Sequence, residues 1–227
     1  LGMPASGVQI LDNDVSDSVF SVFGSEGTLF NVSDDLSDSL MSVNDAAGLP
    51  VFEVFADDLA DMLAQAKIIA SWGSNVNVKI PVTNTKGEFT GPIINELSAI
   101  GVKLNITAIF TPEQVKAITE NLSEDTLAIV SVFAGRIADS GLDPIPIMRE
   151  CVEILKDSPK AELLWASPRE LLNIIQADEV GCHIITATPG VLGKLKLLEK
   201  DLTEFSLETV QMFYNDAKAA GYTIKIT

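Results

Sequence analysis

Short apolar runs rich in β-branched residues alternate with longer amphipathic stretches from about residue 50 to the end of the chain. The short runs have the length and composition of buried strands, and the longer ones carry apolar residues at helical spacing. Helix boundaries are marked as well, because Thr111 and Pro112 open one such stretch and Gly101 closes another. The pattern predicts strands over residues 51–56, 75–82, 102–110, 127–133, 161–167 and 182–188. It predicts helices over residues 57–73, 90–101, 111–122, 144–158 and 168–181 and near 206–220.

Strands that alternate with helices predict βαβ units and a parallel sheet. The pattern yields six strands, whereas a closed (β/α)8 TIM barrel needs eight. The two missing strands would have to come from residues 8–12 and, with a weaker pattern, from residues 24–32. We therefore expect one α/β barrel domain over residues 1–227, in which residues 1–48 form an atypical acidic segment rich in Ser and Asp that could leave strands 1 and 2 irregular.

The net charge of −17 is unevenly distributed along the chain. Residues 1–66 contain twelve Asp and Glu residues and no Lys or Arg, so they account for most of the excess acid. A surface this acidic argues against nucleic acids and anionic membranes as partners. An anionic ligand would therefore need a few local basic groups.

Polar residues recur on one face of the predicted strands. Successive side chains of a strand point to opposite sides, so the aliphatic residues of 75–82 face the helices and Lys79 faces inward. The same alternation turns Glu53, Asn105 and Ser131 inward, and it assigns Leu104, Ile106 and Ala108 to the helix side of their strand. Inward polar groups toward the carboxyl ends of strands are where barrel enzymes place their sites. Each of them needs a partner, because burying an unpaired charge is costly.

A lysine enclosed in this way has a specific chemical use. Desolvation favours the neutral, nucleophilic form of a lysine amine, which can form a Schiff base with a carbonyl substrate. The iminium draws electrons from the adjacent bond, so a carbon–carbon bond can break or form. Glu53, on the neighbouring strand, is placed to move protons through a water molecule. The competing interpretation is a structural ion pair between Lys79 and Glu53.

Four segments in this order and spacing resemble the transaldolase family of class I aldolases: "VNVKIPVT", "GVKLNITAIF", "VSVFAGRI" and "LLWASPRE". The resemblance covers about three quarters of the chain, from residue 50 to the end. It implies an α/β barrel that moves a dihydroxyacetone unit between sugar phosphates in the pentose phosphate pathway. It also implies a cytoplasmic enzyme that needs no cofactor and commonly forms homo-oligomers.

The resemblance implies catalytic roles for four residues. Lys79 matches the Schiff-base lysine of the fourth strand, and Glu53 matches the third-strand carboxylate that activates the catalytic water. Thr107 matches the threonine that holds this water. Asp12 stands where the family has the first-strand aspartate that acts as general acid and base at the C3–C4 bond.

The substrate-binding residues follow from the same resemblance. Asn105 and Ser131 match groups that bind the dihydroxyacetone portion. Arg136 matches the principal phosphate-binding arginine, and Ser167 and Arg169 match the second phosphate contact. Guanidinium groups suit this role because they bind phosphate bidentately.

Two sequence positions distinguish enzymes that transfer the dihydroxyacetone unit from enzymes that only cleave the sugar phosphate. The related fructose-6-phosphate aldolases typically have Gln in place of the third-strand Glu and Tyr at the substrate-binding position of Phe133. Glu53 and Phe133 therefore favour transfer. The family's second-strand motif Thr-Thr-Asn-Pro is absent, so a catalytically weakened, sugar-phosphate-binding homologue is a third hypothesis.

The remaining candidate residues indicate no further chemistry. Two cysteines, Cys151 and Cys182, are too few for a disulfide framework or a zinc site, and their scarcity fits a reducing compartment. His183 is the only histidine and opens an apolar strand, which predicts a structural role at the core or the bottom of the barrel. We therefore predict no metal ion.

Overall fold

The protein is described by a computed structural model that covers residues 7–10, 18–24, 27–33, 41–43, 52–54 and 56–224, the strands up to residue 53 by their backbone alone. Four N-terminal strands form one antiparallel sheet in the order β1–β2–β3–β4. They are β1 (Gly7–Ile10), β2 (Ser18–Gly24), β3 (Gly27–Ser33) and β4 (Met41–Val43).

This antiparallel sheet corrects the expectation that residues 8–12 and 24–32 supply barrel strands 1 and 2. Only two residues separate β2 from β3, and Gly24 pairs with Gly27 next to that connection. Neighbouring parallel strands need a crossover of a dozen or more residues, so a connection this short favours an antiparallel hairpin. Asp12 lies outside the described residues.

The second sheet has six parallel strands in the order β10–β9–β8–β7–β6–β5. These strands are β5 (Phe52–Glu53), β6 (Val78–Pro81), β7 (Leu104–Ile109), β8 (Ala128–Val132), β9 (Ala161–Trp165) and β10 (Ile184–Ile185). The predicted alternation of helices with six parallel strands is confirmed. Among the described strands, β5 and β10 are the two edges of this sheet, so the barrel is not closed there.

Helices α1 to α6 connect the consecutive parallel strands, and α7 and α8 follow β10. They are α1 (Leu59–Ala70), α2 (Gly91–Ala99), α3 (Pro112–Thr119), α4 (Ala134–Asp139), α5 (Pro144–Leu155), α6 (Leu172–Val180), α7 (Pro189–Leu192) and α8 (Leu202–Ala219). The predicted start of α3 is confirmed, since the Thr111 hydroxyl accepts from the Gln114 N–H and Gln114 Oε1 accepts from the Thr111 N–H. None of the described helices combines the length and apolarity needed to cross a bilayer.

The core lies between the parallel sheet and the helices. Its fully buried members include Ile80, Ile106 and Leu163 from the strands, and Leu97 and Met148 from the helices. Burying each such side chain contributes about 1.5–3 kcal/mol. The aliphatic alternation therefore fixes which face of each strand meets the helices, and the polar alternates point the other way.

Strand β7 departs from the predicted alternation at its end. A register shift separates the Ile106–Val130 pair from the Ile109–Val132 pair, and Ala108 has a φ of 60°. Ile109, rather than Ala108, is completely buried in the core. The assignment of Ala108 to the helix face is therefore wrong, because the extra residue of the bulge shifts the alternation by one position.

The long C-terminal helix α8 has no buried residue. It exposes Leu202, Phe205, Leu207, Val210, Met212, Phe213 and Tyr214 by between 40% and 80%. A helix normally buries an apolar stripe, so a partner surface would stabilise α8.

Candidate functional site

Three of the predicted site positions lie side by side in the parallel sheet. Glu53 of β5 is in register with Lys79 of β6, and Lys79 is in register with Asn105 of β7. Adjacent strands are about 4.8 Å apart, so consecutive members of this row are direct neighbours. Lys79 is half-buried, between Val78 and Ile80 on the opposite face, both of which are completely buried.

The row continues on β8 through a hydrogen bond. The Ser131 hydroxyl donates to Asn105 Oδ1 over 2.7 Å, and both residues are buried. This bond fixes the orientation of the Asn105 amide group, because its oxygen must face Ser131. The structure therefore brings Asn105 and Ser131 into contact on the inner face of the sheet, beside Lys79.

Thr107 adds a buried polar atom close to this row. It lies two residues after Asn105, in register with Pro81, and is 4% exposed. Its Oγ1 has no hydrogen-bond partner among the described residues. A buried hydroxyl without a partner costs about 1–3 kcal/mol, so such groups usually bind a water molecule or a ligand.

Residues with a strained backbone lie at the carboxyl edge of the parallel sheet. Of the three described residues other than Gly with a positive φ, Ala108 follows Thr107, Ser167 follows β9, and Glu199 precedes α8. Left-handed conformations cost about 1–3 kcal/mol each and concentrate at functional sites. Two of the three lie where β7 and β9 end, which is the edge where parallel α/β proteins bind ligands.

An aromatic pair supports the guanidinium group of Arg136. Arg136 lies on α4, and its Cζ is 5.3 Å from the centroid of the Phe133 ring, within cation–π range. The Phe110 ring packs on Phe133 at a centroid distance of 5.8 Å. The sequence argument missed Phe110, although its position directly after β7 marked it as a residue at the carboxyl edge.

A glycine brings α4 against the segment that follows β9. The Gly135 N–H donates to the Ala166 carbonyl over 3.2 Å. A Cβ atom at Gly135 would lie 1.5 Å from the carbonyl oxygen of Ser167, so only glycine permits this approach. Arg136 and Ser167, predicted to bind the same phosphate group, are therefore held close together by main-chain contacts.

Arg169 is held at both its main chain and its side chain. Its Nε donates to Asp139 Oδ1 over 3.1 Å, and its Nη2 donates to Asp139 Oδ2. The Asn173 side chain accepts from the N–H groups of Arg169 and Glu170, at 2.7 and 3.1 Å. These turn bonds explain why α6 begins at Leu172 rather than at the predicted residue 168.

Two loops are joined above the carboxyl ends of β5 and β6. Asp57 accepts two hydrogen bonds from Thr85, from the N–H and from the hydroxyl, each over 2.7 Å. These bonds hold the pKa of Asp57 below its usual value. The buried Asn84 donates to the main-chain carbonyl of Asp57 over 3.2 Å. The strands that carry positions 53 and 79 are thereby joined at the edge where the site lies.

The cysteines and the histidine do not contribute a reactive group. Burial raises the pKa of Cys151 and of Cys182 to about 12, so both thiols are protonated at neutral pH. His183 Nδ1 accepts from the Leu163 N–H over 3.0 Å, although the residue is exposed rather than buried. In the part of the chain that the structure describes, no three His, Cys, Asp or Glu side chains gather where a metal ion could bind.

Parallel strands alternating with helices, with polar residues on the inner face of the strands and in the segments that follow their carboxyl ends, define an α/β-barrel type of enzyme scaffold. The chain belongs to the transaldolase/fructose-6-phosphate aldolase family, whose pattern matches residues 31–224.

Individual relatives agree with this assignment. A probable transaldolase of Nitrosopumilus maritimus is 31% identical over 176 residues, covering 77% of this chain and 75% of that protein. A probable transaldolase of Dehalococcoides mccartyi is 37% identical over 153 residues, covering 67% of this chain and 66% of that protein. A solved mandelate oxidase mutant aligns with a TM-score of 0.45 and 18% identity over 64% of this chain and 51% of that chain, too weakly to support any argument.

Proposed function

We propose that the protein is a transaldolase that transfers a dihydroxyacetone unit between sugar phosphates through a Schiff base on Lys79. The observation that carries the proposal is the register of the inner row, in which Lys79 lies between Glu53 and Asn105. Relatives named as probable transaldolases support the reaction class. A cytoplasmic location and a place in the pentose phosphate pathway belong to the same proposal.

The proposed reaction begins with the Lys79 amine attacking the C2 carbonyl of a ketose phosphate. Water leaves the resulting carbinolamine as the iminium forms, and Glu53 moves the protons through a water molecule. The C3–C4 bond then breaks, its electrons flow to the iminium nitrogen, and Asp12 accepts the proton of the C4 hydroxyl. The aldose phosphate leaves, and an enamine of dihydroxyacetone stays on Lys79.

The second half of the reaction reverses these steps on an acceptor. The enamine carbon attacks the aldehyde of a second sugar phosphate, Asp12 returns the proton, and water hydrolyses the new iminium. The buried hydroxyl of Thr107, which has no hydrogen-bond partner among the described residues, supports a role in holding that water. The Asn105–Ser131 pair supports the binding of the dihydroxyacetone hydroxyl groups.

The phosphate group of the substrate would bind at the mouth of the site. Arg136, supported by the Phe133 ring, and Arg169, fixed by Asp139, offer two guanidinium groups around the segment that contains Ser167. These two groups supply the local positive charge that an anionic ligand needs on a protein with a net charge of −17. Guanidinium groups with restricted rotamers lose less entropy on binding phosphate.

Transfer and simple cleavage differ in whether free dihydroxyacetone is a product. We expect the purified protein, given fructose 6-phosphate alone, to release little free dihydroxyacetone, and to form a new ketose phosphate once erythrose 4-phosphate is added. The enamine waits on Lys79 for an acceptor, so release without one is slow. An enzymatic assay for dihydroxyacetone measures the first quantity, and chromatography of the sugar phosphates measures the second.

The outcomes of this assay separate the three hypotheses. Rapid release of dihydroxyacetone without acceptor would identify a simple aldolase. No turnover of either kind, with fructose 6-phosphate still bound, would identify a sugar-phosphate-binding homologue. Strands β1 to β4 form their own antiparallel sheet, so no described strand takes the place of the family's second barrel strand. This arrangement favours the sugar-phosphate-binding homologue over the simple aldolase.

A homo-oligomer is part of the proposal, since α8 exposes the apolar side chains that a second copy could cover. We expect the wild-type protein to have a solution mass above the 24.3 kDa of one chain. Phe213→Asp, on the exposed apolar surface of α8, should lower that mass toward one chain. Light scattering coupled to size-exclusion chromatography gives the masses, and Asn215→Asp adds the same charge at a polar position as the control. A monomeric wild-type protein would contradict the oligomer.

A further inference from the structure

Asp139 binds one of the two arginines that the proposed function assigns to phosphate, and it lies one helical turn from the other. It lies three residues after Arg136 on α4, and residues at this spacing neighbour each other on a helix surface. Its carboxylate also binds Arg169, thirty positions further along the chain, through Nε and Nη2. A single carboxylate therefore binds the guanidinium group of Arg169 and lies on the same helix as Arg136.

The donors of Arg169 are divided between two edges. A guanidinium group has five N–H donors in a fixed plane. Asp139 accepts from the Nε–H and from one N–H of Nη2. The second edge of the group, formed by Nη1 and the remaining N–H of Nη2, can face another anion. Because the Asn173 side chain also holds the Arg169 N–H, the direction of this second edge is set by contacts at both ends of the residue.

We propose that Asp139 is a positioning residue that makes the site specific for phosphorylated substrates by holding the second edge of Arg169 toward the phosphate position. The inference rests on the proposed assignment of Arg136 and Arg169 to phosphate. Asp139 acts through Arg169 and does not touch the substrate.

Two physical effects of removing Asp139 have opposite signs, which makes the inference testable. Loss of the carboxylate frees the Arg169 side chain to sample other rotamers, and this weakens phosphate binding. Loss of a negative charge beside the site strengthens phosphate binding by simple electrostatics. The bidentate geometry of the ion pair favours the first effect, whereas an ordinary exposed ion pair would show only the second or neither.

The experiment measures the binding of inorganic phosphate by calorimetry and the kinetics of the full reaction in the Asp139→Ala protein. We expect about tenfold weaker phosphate binding and a similar rise in KM for fructose 6-phosphate. The kcat and the KM for unphosphorylated fructose should remain unchanged, because the inner row is not touched. Asp139→Glu, which keeps a carboxylate, should recover part of the loss.

The control is Glu153→Ala, which removes the carboxylate of another exposed ion pair, with Lys156. It should leave phosphate binding and both KM values as in the wild type. Circular dichroism of each variant establishes that it is folded.

Failure of this inference can be told apart from failure of the proposed function. If Arg136→Ala and Arg169→Ala weaken phosphate binding while Asp139→Ala leaves it unchanged or tightens it, the phosphate site stands and the role of Asp139 is overturned. If the wild-type protein binds no phosphate, the role of Asp139 falls together with the phosphate assignment. Covalent trapping on Lys79 tests the Schiff base separately, and weaker phosphate binding by Asp139→Ala without such trapping would support this inference while contradicting the proposed function.

Discussion

Replacing Lys79 by methionine should abolish sugar transfer while leaving the fold intact. Methionine has an unbranched side chain of similar length, so it fills the same space on the inner face of β6, but it has no amine to attack a carbonyl. Loss of a covalent nucleophile typically lowers the rate by about 10⁴-fold or more. The transfer of dihydroxyacetone from fructose 6-phosphate to erythrose 4-phosphate measures the effect.

Covalent trapping identifies the nucleophile directly. Borohydride reduces an iminium to a stable amine, so the wild-type protein treated with fructose 6-phosphate and borohydride should gain a mass on the peptide that contains Lys79. Lys79→Met should gain none. An adduct on another lysine, or transfer at the wild-type rate by Lys79→Met, would contradict the proposed mechanism.

Lys103 provides the matched control for this substitution. Like Lys79 it is partly buried, but it lies just before the amino end of β7, where its Nζ donates to the Ser74 carbonyl over 2.9 Å. Lys103→Met should therefore retain both transfer and trapping. The comparison separates the loss of an amine at the site from the general cost of removing a lysine from the fold.

Gly135→Ala should disrupt the phosphate-binding edge and destabilise the protein. The new methyl group would meet the Ser167 carbonyl oxygen at 1.5 Å and its carbon at 2.5 Å, so the main chain of one segment has to move. Overpacking of this kind costs about 1–3 kcal/mol or more. For a chain of this length, that corresponds to a fall in Tm of roughly 2–12 °C. The movement should also raise KM for fructose 6-phosphate, because Arg136 and Ser167 lie on the segments that separate.

Thermal unfolding followed by circular dichroism, together with KM measurements, checks this prediction. Gly190→Ala is the control, since the nearest atom to its Cβ, Thr188 Oγ1, lies at an ordinary 3.9 Å. It should leave both Tm and KM close to those of the wild type. Unchanged Tm and KM in Gly135→Ala would show that the close approach of α4 to Ser167 is wrong.

Much of the fold follows from local sequence pattern. The aliphatic alternation of residues 75–82 identified a strand with Lys79 on its inner face, and the structure places its neighbours Val78 and Ile80 in the core. The Thr–Pro start of α3 also follows from local chemistry, since a cap is formed by residues three positions apart. Predictions of this kind succeed because side-chain periodicity and helix capping depend on neighbours in the sequence.

The predicted site residues were found by pattern and resemblance, and their roles stay predictions. The structure gathers Lys79 and Asn105 by strand register and joins Asn105 to Ser131 by a hydrogen bond. The side chain of Glu53 and all of Asp12 lie outside what the structure describes. The strand alternation could name the inward residues, but it could not say which of them bond to each other.

The sequence by itself determined the succession of strands and helices, the inner polar row and the family, because each depends on local periodicity or on motifs of a few residues. Only the tertiary structure decided that β2 and β3 pair in a separate antiparallel sheet. It also decided two contacts across long separations, the approach of Gly135 to Ser167 and the ion pair between Asp139 and Arg169. These depend on strand register and on loop paths. A shift of one residue in β7 was enough to exchange Ala108 for Ile109 in the core, and no local pattern specifies such a shift.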